Sequence, residues 1–307
     1  MRTVPATVFT GFLGSGKTTI ITGLLEYLDS QGQKVAYIKN EIGDADLDAK
    51  LVRGKHFIGK EILNGCICCT LVGPFIAAID ELIDEEQIDR IIIESAGSAD
   101  PASLALMVSN HPRLTRDGVI AIIDVLNFEG YDDISDVARR QAELTDLIVL
   151  NKVELVDQQQ KMRVVGYVRE LNAYSPIVEA PGGVLHPQLA FGIGSAELVS
   201  LLKHDDGEDH DHFAEDEIQA YTYRTSNPLD KEKFKQVLRD MPKQVFRIKG
   251  IVQFSSGPEV VNAIFRRADY APVPVDQEAT QTTIICIGYN ISSIIDQIDQ
   301  LLSSAVV

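Results

Sequence analysis

The sequence predicts an α/β protein: a domain built on a mostly parallel sheet, followed by a smaller α+β domain. Three observations lead to this fold class. Short β-branched runs alternate with helix-length amphipathic stretches up to about residue 200, which is typical of βαβ units. A glycine-rich motif joins the first run to the first helical stretch. A segment rich in carboxylates then ends the alternation, and a second pattern of strands and helices follows it.

The first domain is predicted to contain a strand before or after each of its helices. The runs that we interpret as strands are Thr3–Thr10, Lys34–Lys39, Arg90–Glu94, Val119–Asp124, Leu147–Leu150 and Pro176–Glu179. The stretches that we interpret as helices are Lys17–Ser30, Pro74–Asp84, Asp136–Thr145 and Gln158–Asn172. Because helices connect these strands, we expect the strands to run parallel, with helices on both faces of the sheet.

The acidic segment separates two domains. Between Lys203 and Glu217 the chain carries eight carboxylates and three histidines and almost nothing to bury. We therefore interpret residues 201–217 as a linker, with a first domain over residues 1–200 and a second over residues 218–307. The second domain is predicted to contain strands at Ile218–Thr225, Gln244–Ser255 and Thr282–Tyr289 and helices at Pro228–Asp240 and Ile291–Ser303. This pattern favours helices packed on one face of a mainly antiparallel sheet.

Charge and hydropathy narrow the function classes. The net charge of −17 opposes an interface with nucleic acid, because that affinity comes mainly from Lys and Arg on phosphates. No apolar run approaches membrane-spanning length, and the N-terminus lacks a basic stretch followed by an apolar one. We expect a cytoplasmic protein with no nucleic-acid and no membrane partner.

The motif after the first strand is typical of a phosphate-binding loop. Gly11-Phe-Leu-Gly-Ser-Gly-Lys-Thr18 satisfies G-x-x-x-x-G-K-[ST] between a strand and a helix. In such a loop, backbone N–H groups surround the β-phosphate, the lysine bridges the β- and γ-phosphates, and the final hydroxyl ligates Mg²⁺. The residues expected to contact nucleotide or Mg²⁺ are Gly11, Gly14, Ser15, Gly16, Lys17, Thr18 and Thr19. The motif predicts a P-loop nucleoside triphosphatase.

A second site element follows the strand that ends in Glu94. An apolar run delivers this carboxylate to the carboxyl edge of the sheet, beside the expected phosphates, where it can hold Mg²⁺ directly or through water. The N–H group of Gly97 is expected to bind the γ-phosphate and so to sense hydrolysis. Lys17 and Glu94 are the expected catalytic residues. The alternative is a strand that simply ends in a solvated glutamate.

A third element predicts which base is bound. Asn151-Lys-Val-Glu154 follows an apolar strand at the place where GTPases carry N-K-x-D, whose aspartate accepts from the two donors of guanine. Glu154 keeps both acceptor oxygens but adds a methylene, which moves them by about 1.5 Å. GTP is therefore favoured over ATP, with Asn151, Lys152 and Glu154 as the base-recognition residues.

Three cysteines are crowded in Asn64-Gly-Cys66-Ile-Cys68-Cys69. Thiolates are ligands for Zn²⁺, Co²⁺ or Cu⁺, and the acidic loop Asn40–Asp46 can supply the remaining ligands of a metal site. Inert buried thiols or a redox pair are the alternatives. Cys286 lies inside an apolar strand and is expected to be core packing. The linker residues His204, His210 and His212 form either a loose secondary metal site or part of a solvated linker.

Taken in order, these elements resemble the CobW family of metal-handling GTPases, relatives of the urease and hydrogenase accessory GTPases. The segments that carry the resemblance are Gly11–Thr19, Asn40-Glu41 followed by Gly43 and an acid, Gly65-Cys-Ile-Cys-Cys69, Glu94–Pro101 and Arg247-Ile-Lys-Gly250. Three features depart from the usual family pattern: Glu154 in place of Asp, Ser95-Ala96 in place of threonines, and a short histidine segment.

The resemblance implies a metallochaperone that hydrolyses GTP and delivers a transition metal, zinc or cobalt, to a client metalloprotein. Cys66, Cys68 and Cys69 would supply metal ligands, and Glu41 a carboxylate. A metal buffer with regulatory nucleotide and a small-molecule kinase using the same loop remain alternatives, and a homodimer is an open alternative for its assembly. For Arg247 and Lys249, surface charges and an inter-domain contact are both open.

Overall fold

The computed structural model of the chain describes residues 3–39, 57–61, 72–96, 101–128, 145–192, 218–264, 267–273 and 279–307. The chain divides into two compact units, Met1–Phe191 and Gly192–Val307. Within the described ranges, none of the helices combines the length and the apolar character needed to cross a bilayer.

A seven-stranded sheet is the centre of the first unit, and every neighbouring pair of its strands runs parallel. The strand order is β3-β2-β4-β1-β5-β6-β7. The strands are β1 Val4–Thr10, β2 Val35–Lys39, β3 Phe57–Glu61, β4 Arg90–Glu94, β5 Leu114–Asp124, β6 Leu147–Asn151 and β7 Ile177–Ala180. This order places β1, which leads into the phosphate-binding loop, between β4 and β5, so the loop lies beside the ends of both strands.

Helices cover both faces of this sheet. They are α1 Lys17–Ser30, α2 Val72–Glu86, α3 Pro101–Asn110, α4 Gln158–Leu171 and the short α5 Pro187–Ala190. Val4, Ala6 and Val8 of β1 share one buried cluster with apolar residues of α2 and α3. Phe9, which points to the opposite face of β1, is also fully buried, so apolar side chains are removed from water on both sides.

Three elements of the first unit were not expected from the sequence: β3, α3 and the short α5. The strand β3 contains Gly59, Lys60 and Glu61 and lacks the apolar run used to identify strands; it forms because it pairs along β2. The helix α3 starts at Pro101, after a polar stretch that reads as loop. The structure also begins β5 at Leu114, earlier than the predicted Val119. The predicted helix Asp136–Thr145 lies outside the described residues, apart from Thr145.

The second unit has a five-stranded antiparallel sheet with the order β11-β10-β9-β12-β8. Its strands are β8 Ile218–Thr225, β9 Val245–Phe254, β10 Gly257–Ile264, β11 Arg267–Pro272 and β12 Thr282–Tyr289, and its helices are α6 Lys231–Asp240 and α7 Ile295–Ser304. Phe234 and Val237 of α6 and Ile298 and Leu302 of α7 pack in one cluster with one face of this sheet. The mainly antiparallel α+β architecture predicted for this region is confirmed.

The sequence missed the hairpin formed by β10 and β11. Pro258 in β10 and Arg267, Asp269 and Pro272 in β11 weaken the apolar signal. Such residues are usual in a strand at the edge of a sheet, which is the position of β11. The structure also tests one of the two interpretations left open for Arg247 and Lys249 of β9. Arg247 is 1% exposed and Lys249 is 2% exposed, so the interpretation of these residues as surface charges is wrong.

Candidate nucleotide-binding site

The loop between β1 and α1 requires glycine at two close approaches. Gly11 and Gly16 have φ angles of 143° and 94°, which L side chains rarely adopt. A Cβ atom on Gly11 would lie 2.3 Å from the carbonyl oxygen of Ile122, and one on Gly16 would lie 2.1 Å from Nδ2 of Asn151. The loop therefore folds tightly against the ends of β5 and β6, and its backbone N–H groups are available to an anion at the start of α1.

The side chain of Lys17 folds back onto the backbone of this loop. Its Nζ atom donates hydrogen bonds to the carbonyl oxygens of Gly11 at 2.8 Å and Phe12 at 3.0 Å, and the residue is 5% exposed. The ammonium group is thus held next to the loop backbone, where an incoming phosphate would meet both the N–H groups and a positive charge.

Thr18 and Glu94 are in direct contact on the other side of the loop. Oγ1 of Thr18 donates to Oε1 of Glu94 at 3.0 Å, and the hydroxyl of Tyr37 donates to Oε2 of the same carboxylate. Glu94 is 2% exposed. A hydroxyl and a carboxylate are hard oxygen ligands of the type that Mg²⁺ takes. The nearby Oγ atom of Ser15 is buried and has no hydrogen-bond partner among the described residues, so the residues present fit a hydrated Mg²⁺ ion with a triphosphate.

Asn151 and Lys152 bind the phosphate loop itself. Nδ2 of Asn151 donates to the carbonyl oxygen of Ser15 at 2.8 Å, and its Oδ1 accepts from the backbone N–H of Lys152 at 2.9 Å. Nζ of Lys152 donates to the carbonyl oxygen of Gly14 at 3.0 Å. The structure thus brings the predicted base-recognition segment and the predicted phosphate-binding loop together, although they are more than a hundred residues apart in the sequence.

Asp124 is a site residue that the sequence reasoning missed. Its Oδ2 accepts from Nζ of Lys152 at 2.6 Å, and its Oδ1 accepts from the backbone N–H groups of Leu126 and Asn127 at 3.0 and 3.1 Å. Burial opposes ionisation, but the hydrogen bonds from Lys152 and Asn127 outweigh it and hold the pKa of the Asp124 carboxyl below its ordinary value. The signal was present, because Asp124 ends an apolar strand as Glu94 does.

Glu154 lies in a short 3₁₀ turn, Val153–Leu155, directly after β6, and its side chain is exposed to solvent. A second such turn, Pro181–Gly183, follows β7 and contacts the first. A Cβ atom on Gly183 would lie 3.1 Å from Cγ2 of Thr19, so the second turn also reaches the start of α1. The two turns therefore lie side by side next to the start of α1.

Several predicted site residues lie outside the described residues. They are Glu41, Cys66, Cys68, Cys69 and Gly97, together with the histidines of the linker. Among the residues that are described, no group of three or more His, Cys, Asp or Glu side chains is arranged to hold a metal ion. Cys286 is fully buried in the core of the second unit, so its predicted packing role is confirmed. Burial, with a smaller contribution from Asp299, raises the pKa of its thiol to about 12.

Comparison with known proteins identifies the family of each part of the chain. Residues 5–179 match the family described as CobW/HypB/UreG, nucleotide-binding domain, and residues 218–306 match the cobalamin synthesis protein cobW C-terminal domain. The chain is 30% identical to the zinc chaperone CobW of a Sinorhizobium species, over 87% of this chain and 86% of that protein. It is 27% identical to the zinc chaperone YjiA of Escherichia coli K12, over 84% of each protein.

The crystal structure of the Zn(II)-bound YjiA GTPase from E. coli aligns with the chain at a TM-score of 0.47 and 22% identity, covering 99% of both. The two family matches together span most of the chain, in the order that the two sheets have in the structure. The chain belongs to the CobW/HypB/UreG family of nucleotide-binding proteins and carries the CobW C-terminal domain.

Proposed function

We propose that the chain is a GTP-hydrolysing metallochaperone, which binds a transition metal at Gly65-Cys-Ile-Cys-Cys69 and delivers it to a client metalloprotein under nucleotide control. Zinc is favoured over cobalt as the cargo because the relatives that cover most of the chain are named zinc chaperones. Cys66, Cys68 and Cys69, with Glu41, form the proposed metal site. The phosphate loop forms the nucleotide site.

One observation carries the link between these two sites. Strands β2 and β4 are hydrogen-bonded neighbours, and Lys39 at the end of β2 pairs with Glu94 at the end of β4. Glu94 contacts Thr18 of the phosphate loop, while the chain beyond Lys39 continues directly into Asn40 and Glu41. A change in the surroundings of Glu94 on hydrolysis therefore occurs beside the point where the acidic loop begins.

The described residues have separate tasks in this proposal. The loop N–H groups and Lys17 bind the phosphates, and Thr18 and Glu94 hold Mg²⁺, which neutralises charge on the β- and γ-phosphate oxygens when it is bound. Asn151 and Lys152 fix the loop, and Glu154 accepts from the donors of guanine. Lys17 holds positive charge where negative charge grows on the leaving phosphate. We expect slow intrinsic turnover, accelerated by the client protein or by the metal.

The test is the Zn²⁺ affinity of the pure protein, measured by chelator competition without nucleotide, with Mg²⁺ and GTP, and with Mg²⁺ and GDP. The same titrations use a Cys66→Ser/Cys68→Ser variant and, as a matched control, Cys286→Ala, which removes a thiol that is buried in the second unit. We expect the GTP and GDP states to differ at least tenfold in affinity, which corresponds to about 1.4 kcal/mol of coupling. The tight binding itself should be lost in the double variant and retained in the control.

Other outcomes favour the alternatives. Equal Zn²⁺ affinity in all three nucleotide states would leave the two sites uncoupled and support a metal buffer. Tight Zn²⁺ binding that survives in the double variant would contradict the cysteine site. A phosphorylated metabolite as the product of turnover, in place of free phosphate, would support a kinase.

A further inference from the structure

Tyr37 contacts the nucleotide site from a strand that has no part in the phosphate loop. It lies in the middle of β2 and is 8% exposed. Its hydroxyl donates to Oε2 of Glu94, while Thr18 donates to Oε1 of the same carboxylate at 3.0 Å. The two oxygens of one carboxylate are therefore held by side chains from two different elements, β2 and α1.

The sheet register explains how the tyrosine reaches this carboxylate. Tyr37 pairs with Ile92 across the β2–β4 ladder, and Glu94 is two residues further along β4. Side chains two residues apart on a strand lie on the same face. Glu94 is thus the diagonal neighbour of Tyr37, at a distance that a long aromatic side chain spans and a shorter side chain does not.

The hydrogen bond from Tyr37 limits rotation of the Glu94 carboxylate about its terminal side-chain bond. The carboxylate of a glutamate turns about an sp³–sp² bond with a broad energy profile, so its orientation depends on its hydrogen-bond partners. With the Tyr37 hydroxyl on Oε2, the other oxygen stays directed at Thr18. Orientation of a metal-ligating carboxylate by a neighbouring donor is a recognised way to raise the affinity of a metal site.

We infer that Tyr37 is a positioning residue for Glu94, which holds the proposed Mg²⁺ ligand in place and connects it to β2. The second part of the inference, the connection of Glu94 to β2, rests on the proposed function, because β2 leads to Asn40 and Glu41. The first half, the orientation of Glu94, depends only on a nucleotide–Mg²⁺ site at the phosphate loop. The two halves are measured separately.

The first measurement is the Mg²⁺ dependence of GTP binding, followed with a fluorescent GTP analogue at increasing Mg²⁺ concentration. Tyr37→Phe keeps the ring and removes the hydroxyl. We expect the Mg²⁺ concentration at half-saturation to rise about tenfold, the range found when a hydrogen bond to a charged group is lost. Binding in the presence of a Mg²⁺ chelator should stay as in the wild type. Tyr167→Phe is the matched control, because Tyr167 lies on α4 and its ring packs against Phe128.

A double-mutant cycle separates positioning from a general loss of structure. Glu94→Gln should also raise the Mg²⁺ requirement, and adding Tyr37→Phe to it should change little, because the hydroxyl acts through the carboxylate. Independent, additive effects of the two substitutions, or a Mg²⁺ requirement in Tyr37→Phe within twofold of the wild type, would overturn the inference.

The second measurement is the ratio of Zn²⁺ affinities in the GTP and GDP states. We expect this ratio to fall to about one in Tyr37→Phe and to stay at the wild-type value in Tyr167→Phe. A ratio that is unchanged in Tyr37→Phe would refute the connection through β2. If the wild type itself shows no difference between the states, the proposed function fails, and the Mg²⁺ titration still decides whether Tyr37 positions Glu94.

Discussion

Nζ of Lys152 donates a hydrogen bond to Oδ2 of Asp124 at 2.6 Å and a second to the carbonyl oxygen of Gly14 at 3.0 Å. The carboxylate that pairs with Lys152 is therefore that of Asp124, at the end of the neighbouring strand β5. It is not the carboxylate of Glu154, the acid of the segment Asn151–Glu154. Glu154, two residues after Lys152, is exposed to solvent. One ammonium group thus joins the base-recognition segment, the phosphate loop and the end of β5.

Removal of the charge on Asp124 should destabilise the first unit in a pH-dependent way. The pKa of this carboxyl is lowered in the folded protein, so its contribution to stability is present above the unfolded pKa of about 3.9 and is lost as pH falls through the lower folded pKa. We expect Asp124→Asn to lower the free energy of unfolding by about 1 to 2 kcal/mol at pH 7. The measurement is urea denaturation of wild type and variant at several pH values.

The control for this prediction is Glu85→Gln, which neutralises an exposed carboxylate of α2. The difference between wild type and Asp124→Asn should shrink as pH falls below about 4. A difference that keeps its full size at the lowest pH at which the protein still folds would show that the carboxylate charge is not what stabilises the lysine.

Lys17→Ala should strongly weaken nucleotide binding without unfolding the protein. The ammonium group contacts the backbone at Gly11 and Phe12 and is the positive charge that an incoming phosphate meets. Loss of charged hydrogen bonds worth about 3 kcal/mol would weaken GTP binding by roughly two orders of magnitude. Isothermal titration measures this loss, and the urea midpoint reports whether the fold is intact.

Lys161→Ala is the control for that variant. Nζ of Lys161 forms an ion pair with Oε1 of Glu179 at 2.8 Å, and neither residue belongs to the phosphate loop. It should bind GTP as the wild type does. GTP affinity that is unchanged in Lys17→Ala would contradict the assignment of Gly11–Thr18 as the phosphate site.

The parts of the site that follow from local sequence were predictable. The phosphate loop has a fixed residue pattern between a strand and a helix, and Glu94 and Asn151 each end an apolar strand. In a parallel sheet such strand ends meet at one edge, so their proximity to the loop follows from the fold class. The contacts of Asn151 with Ser15 and of Glu94 with Thr18 are consistent with that reasoning.

The contacts that the sequence did not predict join residues on different strands. Tyr37 meets Glu94 because β2 pairs with β4 in one register, and Lys152 meets Asp124 because β6 pairs with β5. A single sequence contains the residue types but not the strand order or the register. The hairpin of β10 and β11 was missed for a related reason: its stability comes from pairing with β9, while its own residues are weakly apolar.

Cys286→Ala should lower stability and leave Zn²⁺ binding unchanged. The side chain is fully buried in the core of the second unit, and burial raises the pKa of its thiol to about 12, so it carries no thiolate near neutral pH. We expect a loss of about 1 kcal/mol in the free energy of unfolding from the lost packing. Urea denaturation measures the stability and chelator competition measures the Zn²⁺ affinity of the same sample. A drop in Zn²⁺ affinity would contradict the prediction that Cys286 takes no part in Zn²⁺ binding.

Glu154 should decide between guanine and adenine. It is an exposed residue of the 3₁₀ turn after Lys152. A carboxylate there would offer two acceptors to the N1–H and amino donors of guanine, which adenine does not present in that arrangement. We expect Glu154→Ala to weaken GTP binding roughly 10- to 100-fold and ATP binding little, so that the preference disappears. Glu154→Asp tests the effect of the extra methylene, because it keeps the charge and shortens the side chain.

Glu154→Gln gives the sharpest readout, because it changes hydrogen bonding with almost no change in shape. It replaces one acceptor by a donor, and xanthosine triphosphate replaces the amino donor of guanine by a carbonyl acceptor. The variant should therefore lose affinity for GTP and gain affinity for the xanthine nucleotide, while Lys17→Ala loses both. Dissociation constants for GTP, ATP and xanthosine triphosphate measured in parallel decide the matter. If Glu154→Gln keeps the wild-type order of the three nucleotides, the base is read by other groups, and the turn Pro181–Gly183, which contacts the turn of Glu154, is where they should be sought.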